Sequence, residues 1–389
     1  MPQAYKTEIA QQGFVDGICN VVCHLSFYLG ESFVREAGFQ GDYAVGNTFL
    51  EKMPCAIVTR EDDPEFSDFV NAVLLALLRA EEMNITQARA DEFPETMLFG
   101  EEFKHMFQHA IGHQGNFGEL YHRFLKDDFP RETIDKINDG STGLLYSFPF
   151  GDLDIRRNDT KQPLGEALQQ IVLRGKLLCG VRIDRPGFAT LNESSDIEGA
   201  IYAGMDVDFC RALSASLFRG YDTSVEFVAL QDIRDGASLL ANGQLDVVAG
   251  ATWNLEYDVR EPSTGVGFAF SKPYFFAPHK GDMAEEENLC LMTRQEDTDW
   301  SSFVYWIVES VVYAEENNID RFTSNSMPEV FLYGEDFKRM FRDAVLAVGN
   351  YADVYNRNLA PSMPRSGRNL LNPGDKPGPQ IYIPPWVLP

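Results

Sequence analysis

Gly175-Lys176-Leu177-Leu178-Cys179-Gly180-Val181-Arg182-Ile183 is the stretch that decides the fold. It is short, apolar at its centre and bounded by turn residues, so it reads as a strand. Asp206 to Phe218 then reads as an amphipathic helix. Ser224 to Leu230 is a second strand, and Gly243 to Val248 is a further candidate. Strand, helix, strand, helix, strand predicts a parallel sheet covered by helices. The fold class is α/β.

Outward from this core the chain repeats itself. Thr59-Arg60 laid over Thr293-Arg294, an offset of 234, brings Phe69 onto Phe303, Ala80-Glu81-Glu82 onto Ala314-Glu315-Glu316 and Ile85 onto Ile319. In the same ungapped register Leu98, Gly100, Glu101, Phe103, Lys104, Met106 and Phe107 fall on Leu332, Gly334, Glu335, Phe337, Lys338, Met340 and Phe341. Gly115-Asn116, Tyr121, Arg123 and Leu125 fall on Gly349-Asn350, Tyr355, Arg357 and Leu359. After a slip of two residues, Tyr146 and Pro149 meet Tyr382 and Pro385. One module occurs twice.

Each copy predicts an amphipathic helix, over Phe66–Glu82 and Trp300–Glu316. A second helix is expected to begin at Glu101-Glu102 and at Glu335-Asp336, where acidic side chains suit the positive end of the dipole. Gly115-Asn116 and Gly349-Asn350 should break it. Residues 151–163 are polar and unpatterned and read as a linker. The tail from Pro361 to Pro389 holds eight prolines and is expected to run extended over a surface.

The chain has 389 residues, 33 basic and 59 acidic side chains, and a net charge of −26. That balance argues against nucleic acid or an anionic membrane as partner, because both need clustered Lys and Arg. No run approaches the length of a membrane span. The start, Met1 to Glu8, lacks the apolar core of a signal peptide. Six cysteines are too few for a disulfide scaffold and too unevenly spaced for a zinc ribbon.

The motifs resemble the family-3 extracytoplasmic solute-binding proteins of bacterial ABC transporters, most of all their general L-amino-acid branch. The likeness is carried by Leu178-Cys179-Gly180-Val181, Pro186-Gly187-Phe188, Met205-Asp206-Val207-Asp208-Phe209-Cys210-Arg211-Ala212-Leu213 and Val225-Glu226-Phe227-Val228. It continues in Asn242 to Val248, Thr252-Trp253, Val348 to Tyr351 and Tyr355 to Leu359. The resemblance implies two α/β lobes clamping an amino acid and an extracytoplasmic location. Against that pattern, residues 1–150 read as the C-terminal part of a first module. Residues 151–169 are a linker, and 170–389 a shortened second module with its lobe-1 core at 170–283 and its return segment and Pro-rich tail at 284–389. The result is a partial tandem duplication with most of one lobe missing after Phe276.

A zwitterion needs a guanidinium for its carboxylate and a carboxylate for its ammonium. In the segment Thr252 to Asp258 the resemblance places hydroxyls and that Arg. Thr252 fits, Asn254 replaces a hydroxyl residue, and Tyr257 stands where the Arg belongs. The family's ammonium-binding Asp falls at Leu25. Candidate ligand-binding residues are therefore Phe188, Thr252, Trp253, Asn254, Tyr257 and Asp258, with Phe188, Trp253 and Tyr257 as an aromatic platform.

Cys179 and Cys210, on a predicted strand and the adjacent helix, are candidates for a disulfide, with two buried thiols as the alternative. Asn84, Asn158 and Asn192 head glycosylation sequons. His105, His109 and His113 follow an i, i+4, i+8 pattern, but their repeat counterparts are Arg339, Asp343 and Ala347, so a solvated helix face is expected and no metal site. No nucleophile elbow, zincin motif or Walker loop occurs, so neither catalysis nor a cofactor is expected. With both charged anchors missing, the expected function is a structural, self-associating module; the alternative is a binder of a small, amino-acid-type solute.

Overall fold

The structure, a computed structural model, describes residues 7–23, 26–46, 56–60, 62–127, 131, 165–192, 201–253, 255–261, 263–277 and 288–371. The expected linker as far as 164, Asn158, Asn254, Leu25, the pairs Tyr146/Tyr382 and Pro149/Pro385, and the tail beyond 371 lie outside those residues.

Two short helices come first, α1 (Thr7–Val15) and α2 (Glu31–Glu36). The first copy of the module contributes α3 (Pro64–Glu82), α4 (Met106–Gln114) and α5 (Phe117–Phe124). A lobe follows: α6 (Glu166–Arg174), β1 (Leu177–Arg182), β2 (Thr190–Asn192), β3 (Ile201–Ala203), α7 (Met205–Leu217), β4 (Val225–Leu230), α8 (Ile233–Ala241), β5 (Val247–Thr252), α9 (Leu255–Arg260), β6 (Phe268–Phe270) and β7 (Phe275–Phe276). The second copy supplies β8 (Asn288–Arg294), α10 (Thr298–Glu316), α11 (Met340–Val348) and α12 (Tyr351–Asn358).

The main sheet runs β4-β1-β5-β8-β6, with β7 also paired to β8. β1 is parallel to β4 and β5, as the strand–helix alternation requires. The second copy then enters the sheet itself: β8 runs antiparallel to β5, β6 and β7. The sheet is therefore mixed. β8 escapes a reading by alternation because Asn288 to Thr293 are all buried, so both of its faces are covered.

Three expectations shift. The strand predicted at Gly243–Val248 runs from Val247 to Thr252. Gly243 adopts φ +70° beyond the end of α8, and Asp246 accepts the Leu178 N–H before the strand begins. The second helices of the two copies begin at Met106 and Met340, after a 3-10 turn at Glu101–Phe103 and Glu335–Phe337. α7 is buried on nearly all sides, because the sheet lies against one side and α11 against another.

The repeat holds at the level of single hydrogen bonds. Asp63 caps α3 through the Phe66 N–H, and Asp297 caps α10 through the Trp300 N–H. The Thr59 and Ser67 hydroxyls lie 2.6 Å apart, those of Thr293 and Ser301 2.7 Å. Asn116 Nδ2 donates to Ile85 O and Asn350 Nδ2 to Ile319 O, each at 2.9 Å. The register also extends further than the sequence match. Arg131 pairs with Glu81 at 2.6 Å and covers the Phe117 and Tyr121 rings; Arg365 pairs with Glu315 at 2.6 Å and covers Tyr351 and Tyr355.

Candidate binding edge

In an open α/β sheet, ligands sit beyond the carboxyl ends of the strands where the chain reverses its direction of winding. Here the chain winds from β1 outward to β4 and then back across to β5. The reversal lies between the C-terminal ends of β1 and β5, at Arg182 and at Thr252-Trp253.

The strand ends are held by a buried polar chain. The Gly250 N–H donates to Tyr274 Oη at 2.8 Å, and Tyr274 O–H donates to Asp206 Oδ1 at 2.6 Å. Gly250 needs its φ of +72° at the β5 bulge, and a Cβ there would lie 2.5 Å from Asp206 Oδ2. Asp206 is wholly buried at the start of α7, and burial lifts its pKa to about 6. The Tyr274 hydrogen bond and the nearby Arg185 and Arg182 oppose that rise.

Above this chain stand the charges. Arg182 grips Asp184 through Nε at 3.1 Å and Nη2 at 2.7 Å, which holds the Asp184 carboxyl below its usual range. Arg185 Nη1 reaches Gly250 O at 3.4 Å. At the end of β5, Trp253 is stacked on Phe270 with centroids 6.3 Å apart. The Trp253 N–H donates to Asn288 Oδ1 at 3.1 Å, tying β5 to the second copy.

The candidate residues fare unequally. Thr252 and Trp253 stand at the edge, half-buried. Phe188 is buried and packs edge-on against Phe275 at 4.7 Å, inside the core. Tyr257 lies tilted on Phe268, one turn into α9. Asp258 is buried, bonded by the Trp253 side chain, and faces Asp68 of α3 rather than the edge. Arg182, Asp184 and Arg185, the charged groups at the edge, were not singled out from the sequence. Their signal was three charges in four residues straight after a buried strand.

Cys179 on β1 and Cys210 on α7 are joined as a disulfide, with Cα atoms 6.4 Å apart. Asn84 sits at φ +55° in the turn after α3, and its counterpart Asn318 at φ +55° in the turn after α10. Asn192 ends β2. The His105 and His109 rings lie 6.1 Å apart, and among the described residues no group of three His, Cys, Asp or Glu is placed to hold a metal. No described helix is long and apolar enough to cross a membrane.

The first copy rests against the lobe at α9. Val259 enters the core of the first copy, Gln295 Nε2 donates to Asp68 Oδ2 at 2.6 Å, and Arg260 pairs with Glu65. Burial, with Glu65 nearby, raises the Asp68 carboxyl to about 7, and burial, with Asp68 nearby, pushes that of Asp258 well above the usual range.

Fold and edge together define a mixed α/β lobe with a sheet edge at its winding reversal. The homologues are periplasmic binding proteins of amino-acid ABC transporters, and the matches are partial and distant. The chain is 29% identical over 120 residues to the general L-amino acid-binding periplasmic protein AapJ of Rhizobium johnstonii, covering 31% of each chain. It is 31% identical over 108 residues to the putative amino-acid ABC transporter-binding protein YhdW of Escherichia coli K12, covering 28% of each. It thus spans less than a third of the length of these relatives. No family model matches. Among solved structures, a periplasmic binding protein from Brucella ovis with glutathione bound aligns at a TM-score of 0.43 and 19% identity, over 51% of this chain and 92% of that one. The arginine-bound form of domain 1 from TmArgBP aligns at a TM-score of 0.26 and 28% identity, over 36% and 94%.

Proposed function

We propose that the chain binds a small amino-acid-type solute at the β1/β5 edge, outside the cytoplasm and without catalysis. The observation that carries this reading is the Arg182–Asp184 pair at the winding reversal. Arg182 gives two of its donors to Asp184, and among the described residues no partner is assigned to Nη1. Asp184 keeps about half of its side chain exposed. A zwitterion could lay its carboxylate on Arg182 and its ammonium on Asp184, so that the anchors stand on the β1 loop instead of at Tyr257 and Leu25. Trp253 and Phe270 would form the wall for an apolar side chain. The partial similarity to amino-acid-binding relatives supports a solute binder over a ligand-free structural module.

Thermal-shift measurement against a panel of L-amino acids tests it. A solute at about 100 times its Kd adds about 2.7 kcal/mol of stability. Arg182→Ala is expected to lose at least about 2 kcal/mol of that gain while melting normally without solute. Melting curves unmoved by every solute would sink the proposal, and a shift indifferent to Arg182 would sink the assignment of the anchor.

A further inference from the structure

The two copies of the module differ in what covers them. The second copy is seated: Leu291 and Met292 of β8 are fully buried beside β5, and Trp300, Phe337 and Leu359 are buried too. In the first copy the counterparts stand in solvent. Ile57 and Val58 are 62% and 90% exposed, and Phe66, Phe103 and Leu125 are exposed as well. Residues 56–60 form neither helix nor strand and pair with no described strand. The internal cores, by contrast, match: Phe107 and Ile111 are as buried as Phe341 and Val345. What differs is one face, the face that meets the lobe in the second copy.

The polar groups of that face say what it takes. In the second copy Arg357 donates through Nη2 to Val348 O at 3.0 Å and to Asp208 Oδ2 of α7 at 2.7 Å. In the first copy Arg123 Nη2 donates to Gln114 O at 3.1 Å, the equivalent carbonyl, yet no described acid stands beside it. Asp299 and Asp297 accept the Gly165 and Ala167 N–H groups at the start of α6, at 2.9 and 2.5 Å. Glu65 and Asp63 keep carboxylates at both of these positions in the first copy, Asp63 also capping α3 as Asp297 caps α10, and Glu65 paired at the surface with Arg260. A cation with no acid beside it, two acids at the positions that hold a helix start and a segment with two bare apolar side chains where the second copy has β8 are complementary to one kind of object.

We infer that the exposed face of residues 56–127 is a docking surface for a second α/β lobe built like residues 165–277. That lobe would bring a strand equivalent to β5, an acid equivalent to Asp208 and a helix start equivalent to that of α6. Its own lobe is no candidate, because β8 and α11 already fill that place.

The test extends the full chain at its N-terminus with a second copy of residues 165–287 and follows hydrogen exchange. Amides of residues 57–60 are expected to slow by at least about 100-fold relative to the unextended chain. Asp208→Ala in the added lobe alone should reverse much of that protection. Unchanged exchange, when the added lobe has formed its own Cys179–Cys210 disulfide, overturns the inference. Should the added lobe fail to fold, the unextended chain decides through Ile57→Asp, Val58→Asp and Arg123→Ala. Their melting temperatures are expected to equal that of the parent, as befits an unoccupied face. A clear drop would mean that the face is already used within the chain, and the inference would fail.

Discussion

Asp206 shows how a single buried carboxyl positions the edge. It takes one hydrogen bond from Tyr274, which in turn takes the Gly250 N–H, so one side chain fixes the bulge where β5 delivers Thr252 and Trp253. Its pKa stands at about 6 against an ordinary 3.8, so the folded protein holds this proton more tightly than the unfolded chain does. The resulting stabilisation is complete below about pH 4 and is lost as the pH rises through about 6. Over that interval the stability of the parent relative to Asp206→Asn should fall by about 3 kcal/mol, measured by urea denaturation. A difference that stays flat with pH would contradict the account. None of this was legible in the sequence: Met205-Asp206-Val207-Asp208 marks a helix start, but that one Asp faces Tyr274 and the other Arg357 depends on contacts 68 and 149 residues away.

Elements were read well where a pattern is local. α3 and α10 follow from apolar spacing, and β1 and β4 from short apolar runs bounded by turns. β8 was hidden, because a strand covered on both faces has no alternation to read. The Arg131–Glu81 and Arg365–Glu315 pairs were hidden for another reason. Their register continues past Leu125 and Leu359, where the surrounding sequence no longer matches. The contact between α3 and α9 carries its own prediction. Asp68 and Asp258 are buried together, with Glu65, Arg260, Gln295 and Trp253 about them, and both carboxyls are raised. The pair is best accommodated with a proton between the modules, and ionising both sets like charges against each other. As the pH rises from about 4 through about 7 the parent should therefore lose stability relative to Asp68→Asn, which keeps a polar group facing Gln295. Parallel pH profiles for the two proteins would remove this role.

At the scale of the molecule, one module appears twice in one chain and meets two different fates. As β8, α10, α11 and α12 it completes a sheet and places Asn288 behind Trp253 at the edge where a solute is proposed to bind. As residues 56–127, with Arg131, it keeps the same internal core and the same Arg–Glu–aromatic contact, but presents to water the side that meets the lobe in the second copy. The repeat itself was legible from Thr59 over Thr293; which copy is seated was not, since both carry apolar residues at the decisive positions. Native-state hydrogen exchange on the full chain addresses this most directly. Amides of Leu289 to Thr293 should exchange only on global opening, whereas those of Ile57 to Arg60 should exchange at least about 1,000-fold faster. Equal protection of the two segments would contradict the account.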